Sequence, residues 1–551
     1  MKKNMVLMDL YETHEELADA KVMSDRLFDD FLNSYFEHSK IDRPNSEYVK
    51  DYIASSLKAL FKRILDKEPE TIRRLYSMPA DRKDAMLNLV DSVFDYWRSY
   101  ERYAYYDIAD AGPISHREFL NRFHNLSDSI RDLYRDVYET ILGHEQSVYR
   151  ELPCGGNAAL LLNDKDIELP EDLSFLNDIH IVESVVTQPP FFIKSEENKR
   201  RGTFFYQDKR VAPENFDANH AYACVLRIYD MRALVCFDRD YLGFLTALGN
   251  LFQMEPYWTE TRKDVDFIVV FGAEGLGDRC YYYKDEGKYV GVCPEDANID
   301  YFGYAKKMVL TLFNLTMIER GLLPIHGAGV RIRKGEKSRN IFFLGDSGAG
   351  KSETLEAIKK IGGRDYQVDT IFDDMGTFHI VNGEVHATGT EIGAFVRLDD
   401  LDQGYSLKSA DRAIYMNVDE ANSRVVIPIE DFQMTYTKHR VDAFFVCDNF
   451  TDTDVGIEFF KSKEEAMPSF EEGKRIAMNT TSESGLVSTY FANPFGPLQK
   501  KEEVHAFLPS YFDALYAHDV PVGKLYTRLS LDRQEGPISG AKVLLDLFDT
   551  L

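Results

Sequence analysis

The sequence predicts an α/β protein, α+β overall, and three observations carry this prediction. Residues 1–150 repeat apolar side chains at helical spacing, which predicts a helical N-terminal region. Residues 151–298 contain short runs rich in β-branched and aromatic residues, which predict an α+β domain. Residues 299–551 place an apolar run before a glycine-rich turn and a helix-forming run, which is typical of a nucleotide-binding domain. The clearest N-terminal helices are expected over Met23–Phe36, Tyr48–Leu65 and Ala85–Trp97.

The composition limits the classes of function. The 551 residues carry a formal net charge of −27, with 44% hydrophobic and 28% charged residues. Binding to nucleic acid of any sequence, or to an anionic membrane surface, needs a positive face, so neither partner is expected. The N-terminus does not resemble a signal peptide, and the apolar stretch Met308–Ile318 is too short to cross a bilayer. A cytoplasmic protein is therefore expected.

The cysteines favour a reducing compartment. All 6 are scattered along the chain, and none forms a Cys-x-x-Cys pair. This spacing supports neither a zinc site nor a redox motif, so free thiols are expected.

A phosphate-binding loop follows the apolar run Ile341–Leu344. Gly345, Gly350, Lys351 and Ser352 satisfy the pattern G-x-x-x-x-G-K-[ST], and a helix-forming run follows. Glycines allow several backbone N–H groups to point at one anion, and the helix N-terminus adds partial positive charge. Lys351 is expected to reach the terminal phosphates of ATP or another phosphate donor, and Ser352 to ligate Mg²⁺. The predicted binding residues are Gly345, Asp346, Ser347, Gly348, Ala349, Gly350, Lys351 and Ser352.

From about residue 300 to the C-terminus, the sequence resembles the ATP-dependent phosphoenolpyruvate carboxykinases. The matching segments, in the family's order, are Tyr301 with Lys306-Lys307, His326, the phosphate loop, Asp373-Asp374, Asn422-Ser423-Arg424 and Ser488–Gly496. The loop and the Asp-Asp pair are shared with HPr kinase, a relative with the same nucleotide core. The Lys-Lys pair, the histidine and the arginine segment favour the carboxykinase branch. The resemblance implies a carboxykinase-like P-loop domain with an α+β substrate domain, to which this chain adds its helical region.

The resemblance also implies roles for single residues. Lys307, His326 and Asp374 would bind one divalent metal, Mn²⁺, which requires a lysine with a strongly lowered pKa. Asp373 would hold the Mg²⁺–nucleotide through water, and Arg424 would neutralise charge on the transferring phosphoryl group. The implied catalytic residues are Lys307, Lys351, Asp373 and Arg424, and the implied metal ligands are Lys307, His326, Ser352 and Asp374. Tyr301 and Ser347 match positions that contact the organic substrate.

Two segments of the family have no clean copy in this chain. The nearest match to its basic substrate-binding loop is Lys199–Thr203, followed by Gln207–Arg210. One of these arginines is expected to bind a carboxylate, because arginine offers a planar fork of donors, and Arg201 is the predicted ligand. The place of its adenine-binding segment is taken by Ser530–Gly540. The sequence therefore does not determine the identity of the phosphate donor or of its nucleobase.

The expected reaction converts oxaloacetate and ATP to phosphoenolpyruvate, CO₂ and ADP. One alternative is a kinase of the same fold that phosphorylates a hydroxyl of a small molecule or a protein, with an acid such as Asp373 as the base. Another is a non-catalytic nucleotide-binding protein whose N-terminal helices bind a partner. Against it stand Lys351, Ser352, Asp374 and Arg424, because a sensor does not need all four.

Overall fold

The computed structural model divides the chain into two compact units. It describes residues 5–11, 26–38, 47–164, 167–200, 204–211, 216–255, 263–398, 411–428, 432–478, 484–548 and 550. The smaller unit comprises Lys2–Asp164 and Val182–Phe192, and the larger comprises Met1, Lys165–Ile181 and Ile193–Leu551. Helices and several mixed sheets confirm the predicted mixture of α and β structure. The division of the sequence into three regions stays a prediction, because sequence regions and compact units need not coincide.

The smaller unit contains a parallel sheet as well as the predicted helices. Its elements are β1 (Met5–Asp9), α1 (Arg26–His38), α2 (Glu47–Leu65), α3 (Pro69–Tyr76), α4 (Ala80–Ser99), β2 (Glu101–Asp107), α5 (Ile108–Ala111), α6 (His116–Leu142), β3 (Ala158–Leu162) and β4 (His180–Thr187). β1, β2 and β3 are parallel, and β3 pairs antiparallel with β4. Two strands, β1 and β2, therefore lie where the sequence predicted helices only. The helices bury an apolar stripe, of which Phe31 and Phe123 are members.

The first sheet of the larger unit carries the predicted β-rich runs. Its elements, listed with β5, which precedes them in the chain, are β5 (Phe191–Ile193), β6 (Phe205–Tyr206), β7 (Ala221–Ile228), β8 (Met231–Asp238), α7 (Leu242–Leu251), β9 (Gln253–Met254), β10 (Phe267–Ala273), β11 (Tyr281–Asp285) and β12 (Lys288–Pro294). The strands lie in the order β7-β8-β10-β12-β11-β6, with β10 parallel to both of its neighbours. β8, β10 and β12 are almost wholly buried, which explains their continuous apolar sequences.

A second sheet in the larger unit carries the phosphate loop. Its elements, with those that surround it, are α8 (Phe302–Glu319), β13 (Leu323–Lys334), β14 (Lys337–Leu344), α9 (Lys351–Gly362), β15 (Gln367–Val381), β16 (Glu384–Gly389), β17 (Gly393–Arg397), β18 (Ile414–Met416), β19 (Arg424–Pro428), α10 (Phe432–Tyr436), β20 (His439–Arg440), β21 (Ala443–Asp448), β22 (Ile457–Phe459), α11 (Lys463–Glu472), β23 (Lys474–Ile476), β24 (Leu486–Ser488), α12 (Lys501–Ala517), β25 (Val522–Tyr526) and α13 (Glu535–Asp546). The order is β20-β16-β15-β13-β14-β21-β25-β22, in which β14, β21 and β25 are parallel. α9 and α13 pack against one face through Leu355, Ile358 and Leu544.

Two further predictions concern the chain as a whole. All six cysteines are free and buried, as expected. Within the ranges given above, no helix is both long enough and apolar enough to cross a membrane.

Candidate functional site

The phosphate loop joins the end of β14 to the start of α9. Ile341–Leu344 are buried between β13 and β21, and α9 begins at Lys351. Gly348 and Gly350 have φ values of 81° and 94°, a backbone region that favours glycine. A Cβ added at Gly350 would lie 2.5 Å from Oγ1 of Thr527. Both the backbone conformation and the packing therefore require glycine at position 350.

Side chains from neighbouring strands hold the carbonyl groups of the loop. Thr527 Oγ1, just after β25, donates to the carbonyl of Ala349 at 2.8 Å. Asn449, just after β21, donates to the carbonyl of Gly348 at 2.8 Å. The amine of Lys351 is buried, 3.4 Å from the carbonyl of Asp346. The curve of the loop is thus set by residues at the carboxyl ends of two parallel strands, the usual position of a ligand site in such sheets.

The acidic pair Asp373-Asp374 lies in the middle of β15 and not at its end. Asp373 and Asp374 face Ala328 and Gly327 of β13 in the antiparallel register. Asp373 Oδ1 accepts a hydrogen bond of 3.0 Å from the hydroxyl of Ser352, the predicted Mg²⁺ ligand. Asp374 has a φ of 105°, and such strained backbone is concentrated at functional sites.

Asp374 is the acceptor on which three predicted residues converge. Its Oδ2 lies 2.6 Å from the amine of Lys306 and 2.7 Å from that of Lys307, both on α8. Its Oδ1 lies 2.9 Å from Nε2 of His326 on β13. The structure therefore brings Lys307, His326 and Asp374 together, although they are far apart in sequence.

The local charges move the pKa values of these groups in different directions. Burial lowers the pKa of Lys307 to about 8, although Asp374 opposes this shift. Burial also disfavours the charged form of Lys306, but Asp374 and Glu391 outweigh it and raise the pKa of this amine. Burial would raise the pKa of Asp374, yet Lys306 and Lys307 hold it well below its ordinary value. Lys306 is thus held as a cation, whereas Lys307 is closer to the neutral form.

These donors fit a divalent transition metal. Lys307, His326 and Asp374 offer an amine, an imidazole and a carboxylate, and the pKa of about 8 allows part of Lys307 to be neutral near physiological pH. A search of the described residues for three or more grouped His, Cys, Asp and Glu side chains finds none arranged for a metal ion. A site at Asp374 depends on a lysine, which such a grouping does not include.

Three buried charged residues at the site were not predicted in these roles. Glu391, just before β17, lies 2.8 Å from Lys306, and burial raises its pKa to about 7. Asp346 Oδ2 accepts from the guanidinium of Arg475 at 2.9 Å, and its Oδ1 lies 3.2 Å from Nδ1 of His326. Burial would raise the pKa of Asp346, but His326 and Arg475 lower it. The only hint of these contacts in the sequence is the acid Asp346 inside the phosphate loop, and the sequence does not show which residues it contacts.

Two aromatic rings each make cation–π contacts with one lysine and one arginine. The ring of Phe495 lies 4.7 Å from the amine of Lys307 and 4.9 Å from the guanidinium of Arg200. The ring of Phe395 lies 5.7 Å from Lys306 and 5.8 Å from Arg424, which begins β19. Basic groups therefore surround these two rings, and Lys306 and the two arginines carry the positive charge expected around an anionic substrate.

The structure places the remaining predicted residues as follows. The buried ring of Tyr301 lies 6.0 Å from that of Phe395, and Ser347 donates its backbone N–H to Asp346 Oδ1 at 2.7 Å. Arg201 lies outside the described residues, whereas its neighbour Arg200 is at the site. Ser530, at the start of the segment compared above with the family's adenine-binding segment, donates its hydroxyl to the carbonyl of Asn449 at 2.7 Å.

Polar contacts fix the segment that carries Arg200. The amide of Asn417, in the connection between β18 and β19, donates to the carbonyl of Ser195 at 2.9 Å and accepts from its N–H at 2.8 Å. Asn198 donates to the side chain of Glu420 at 2.7 Å. These hydrogen bonds join residues 195–198 to residues 417–420. Arg200 follows the first of these segments in the chain, and Arg424 follows the second.

A comparison of the chain with protein-family models and with curated proteins finds no match.

Proposed function

We propose that this chain is a metal-dependent phosphoryl-transfer enzyme of the phosphoenolpyruvate carboxykinase type, with the carboxykinase-like P-loop fold. The observation that carries the proposal is that two adjacent acids contact two different groups of residues. Asp373 bonds Ser352 of the phosphate loop, and Asp374 bonds Lys307 and His326. Asp373 would therefore face a Mg²⁺–nucleotide, and Asp374 a second metal, from adjacent positions of β15.

In the proposed reaction, oxaloacetate loses CO₂ and the resulting enolate oxygen attacks the terminal phosphorus of ATP, which releases ADP. Lys307, His326 and Asp374 would hold Mn²⁺, which when bound supplies positive charge next to the enolate oxygen. Lys351 and Arg424 would spread the charge of the transferring phosphoryl group. Lys306, held as a cation by Asp374 and Glu391, keeps a positive charge beside the reacting atoms throughout.

The basic groups around Phe495 and Phe395 support an anionic, carboxylate-bearing substrate. Arg200 and Arg424 offer planar guanidinium groups, which lie over these two rings. We assign to Arg200 the carboxylate-binding role that the sequence suggested for Arg201. Tyr301 and Ser347 stay candidates for contact with the same substrate. We also place the reaction in the cytoplasm.

A second candidate is a kinase that phosphorylates a hydroxyl. One observation favours it: burial raises the pKa of Asp373, against the opposing effect of Lys351. A carboxylate of raised pKa, next to the site of phosphoryl transfer, is suited to accept a proton from an attacking hydroxyl.

The test is phosphorus NMR of the purified chain with ATP, oxaloacetate, Mg²⁺ and Mn²⁺. The variants are Lys351→Ala and, as a matched control, Lys360→Ala, which removes an exposed lysine from the same helix. A phosphoenolpyruvate resonance in the wild type and the control, lost in Lys351→Ala, is the expected result. Consumption of ATP without phosphoenolpyruvate would favour the hydroxyl kinase. Binding of ATP with no turnover would favour a nucleotide-binding protein.

A further inference from the structure

We propose that Asp346 is a positioning residue for the second metal: its carboxylate holds the ring of His326 so that Nε2 faces the metal position beside Asp374. This inference rests on the proposed function, because it concerns the metal centre of that reaction. It gives a side chain of the phosphate loop a task in the neighbouring site.

His326 is fully buried between two carboxylates. Its Nδ1 lies 3.2 Å from Oδ1 of Asp346 and 3.1 Å from the carbonyl of Ala492, and its Nε2 lies 2.9 Å from Oδ1 of Asp374. Both neighbours of Nδ1 are hydrogen-bond acceptors, so Nδ1 carries a proton and donates. Nε2 is then the nitrogen turned toward the metal position. Histidines that bind metals commonly have this arrangement, in which a carboxylate or carbonyl holds the other nitrogen.

Asp346 is itself held in place. Its Oδ2 accepts from Arg475 at 2.9 Å, and its Oδ1 accepts the N–H of Ser347 at 2.7 Å. Asp346 is 5% exposed and Arg475 1% exposed. Polar groups this deeply buried are stable only with their partners in place, so the carboxylate has little freedom to turn. Arg475, Asp346, His326 and Asp374 thus form one continuous chain of contacts.

The geometry separates this role from phosphate binding. Asp346 contributes its backbone carbonyl to the loop, where it accepts from the N–H of Ala349 at 3.0 Å and lies near the amine of Lys351. Its side chain contacts His326 and Arg475 and, within the loop, the N–H of Ser347. A change confined to the carboxylate should therefore weaken metal binding more than it weakens nucleotide binding.

The test is titration of the full chain with Mn²⁺, in which electron paramagnetic resonance detects the free ion. Neither ATP nor oxaloacetate is present, so the readout does not depend on turnover. The variants are Asp346→Asn, His326→Gln, the double variant and Asp454→Asn, which removes an exposed acid as a control. Asp346→Asn is expected to weaken Mn²⁺ binding about 10- to 100-fold, the usual effect of losing such a partner. In the His326→Gln background the same change should have little further effect, because Asp346 acts through His326.

Equal Mn²⁺ affinity in Asp346→Asn and the wild type would overturn the inference and leave the proposed function standing. An equal loss in both backgrounds would also overturn it, since that indicates general damage. If the wild type shows no Mn²⁺ site that Asp374→Asn removes, the proposed metal centre fails and the inference fails with it. Should Asp346→Asn not fold, Arg475→Lys tests the chain of contacts from its other end. It is expected to weaken Mn²⁺ binding, and unchanged affinity would overturn the inference.

Discussion

Lys306 and Lys307 are consecutive on α8 and share one acceptor, Oδ2 of Asp374, yet their pKa values move in opposite directions. Burial lowers the pKa of Lys307, and the charge of Lys306 adds to this effect. At Lys306, Asp374 and Glu391 together outweigh burial, because Glu391 lies 2.8 Å from its amine. Of these two adjacent lysines, Lys306 is therefore held as a cation, and Lys307 loses its proton more easily.

Replacing Lys307 by arginine should abolish Mn²⁺ binding. Guanidinium stays protonated under all ordinary conditions, so it has no lone pair for a metal, although it keeps the positive charge. We expect at least a 100-fold loss of Mn²⁺ affinity, measured by electron paramagnetic resonance. Lys360→Arg, on the exposed face of α9, is the matched control. Unchanged Mn²⁺ affinity in Lys307→Arg would show that this lysine is not a ligand.

Replacing Arg200 by alanine should raise the KM for a carboxylate substrate by about 10- to 100-fold, the loss expected when a charge-assisted hydrogen bond is removed. The KM for ATP should change much less, because Arg200 lies at Phe495, on the Lys307 side of the site. Steady-state kinetics with each substrate varied in turn measure both values. Arg279→Ala removes another arginine that stacks on a phenylalanine, Phe205, and serves as the control. Equal effects on both KM values would argue against a carboxylate-binding role.

Replacing Gly350 by alanine should weaken ATP binding at least tenfold and lower the melting temperature. The added Cβ would lie 2.5 Å from Thr527 Oγ1, at a φ of 94°. Gly335→Ala is a matched control, because Gly335 also has a positive φ, 60°, but open space around its Cβ position. The control bears only the backbone strain, about 1 kcal/mol. Calorimetric titration with ATP measures binding, and comparable losses in both variants would contradict the steric explanation.

His379 should make the free energy of unfolding depend on pH. Burial lowers its pKa to about 4, and its Nε2 lies 2.9 Å from Thr388 Oγ1. Because the pKa of His379 is lower in the folded state than in the unfolded state, the unfolded chain takes up the proton first as the pH falls. The free energy of unfolding is therefore unaffected by this residue above about pH 6.5 and decreases as the pH falls toward 4. Between pH 7 and 5 the expected loss is about 2 kcal/mol. Urea unfolding at pH 7 and pH 5 should show that the free energy of unfolding of the wild type falls by this amount relative to that of His379→Gln. A difference that does not change with pH would refute the lowered pKa of His379.

The glycine-rich turn before α9 and the meeting of Lys307, His326 and Asp374 agree with the structure, whereas phosphate and metal binding stay predictions. Glycine, lysine and serine at fixed spacing specify a strand–turn–helix unit, and Lys307, His326 and Asp374 follow the order of a known family. Their convergence required only that α8, β13 and β15 be neighbours.

The remaining parts of the site depend on contacts that sequence order does not reveal. Arg475 reaches Asp346 from a short hairpin, and Glu391 reaches Lys306 from the start of β17. Neither Arg475 nor Glu391 belongs to a sequence motif that would have marked it as a site residue. The strands β1 and β2 were missed for another reason: β1 has only 5 residues, and β2 lies between two helices in a region whose helical periodicity dominates the sequence.

Contact between Asp346 and His326 has a thermodynamic consequence. If one side chain belongs to the nucleotide loop and also orients a metal ligand, the two ligands cannot bind independently. Whatever factor ATP imposes on the dissociation constant of Mn²⁺, Mn²⁺ must impose on that of ATP. The sign of this coupling would show whether a filled loop prepares the neighbouring site for its ion or opposes it.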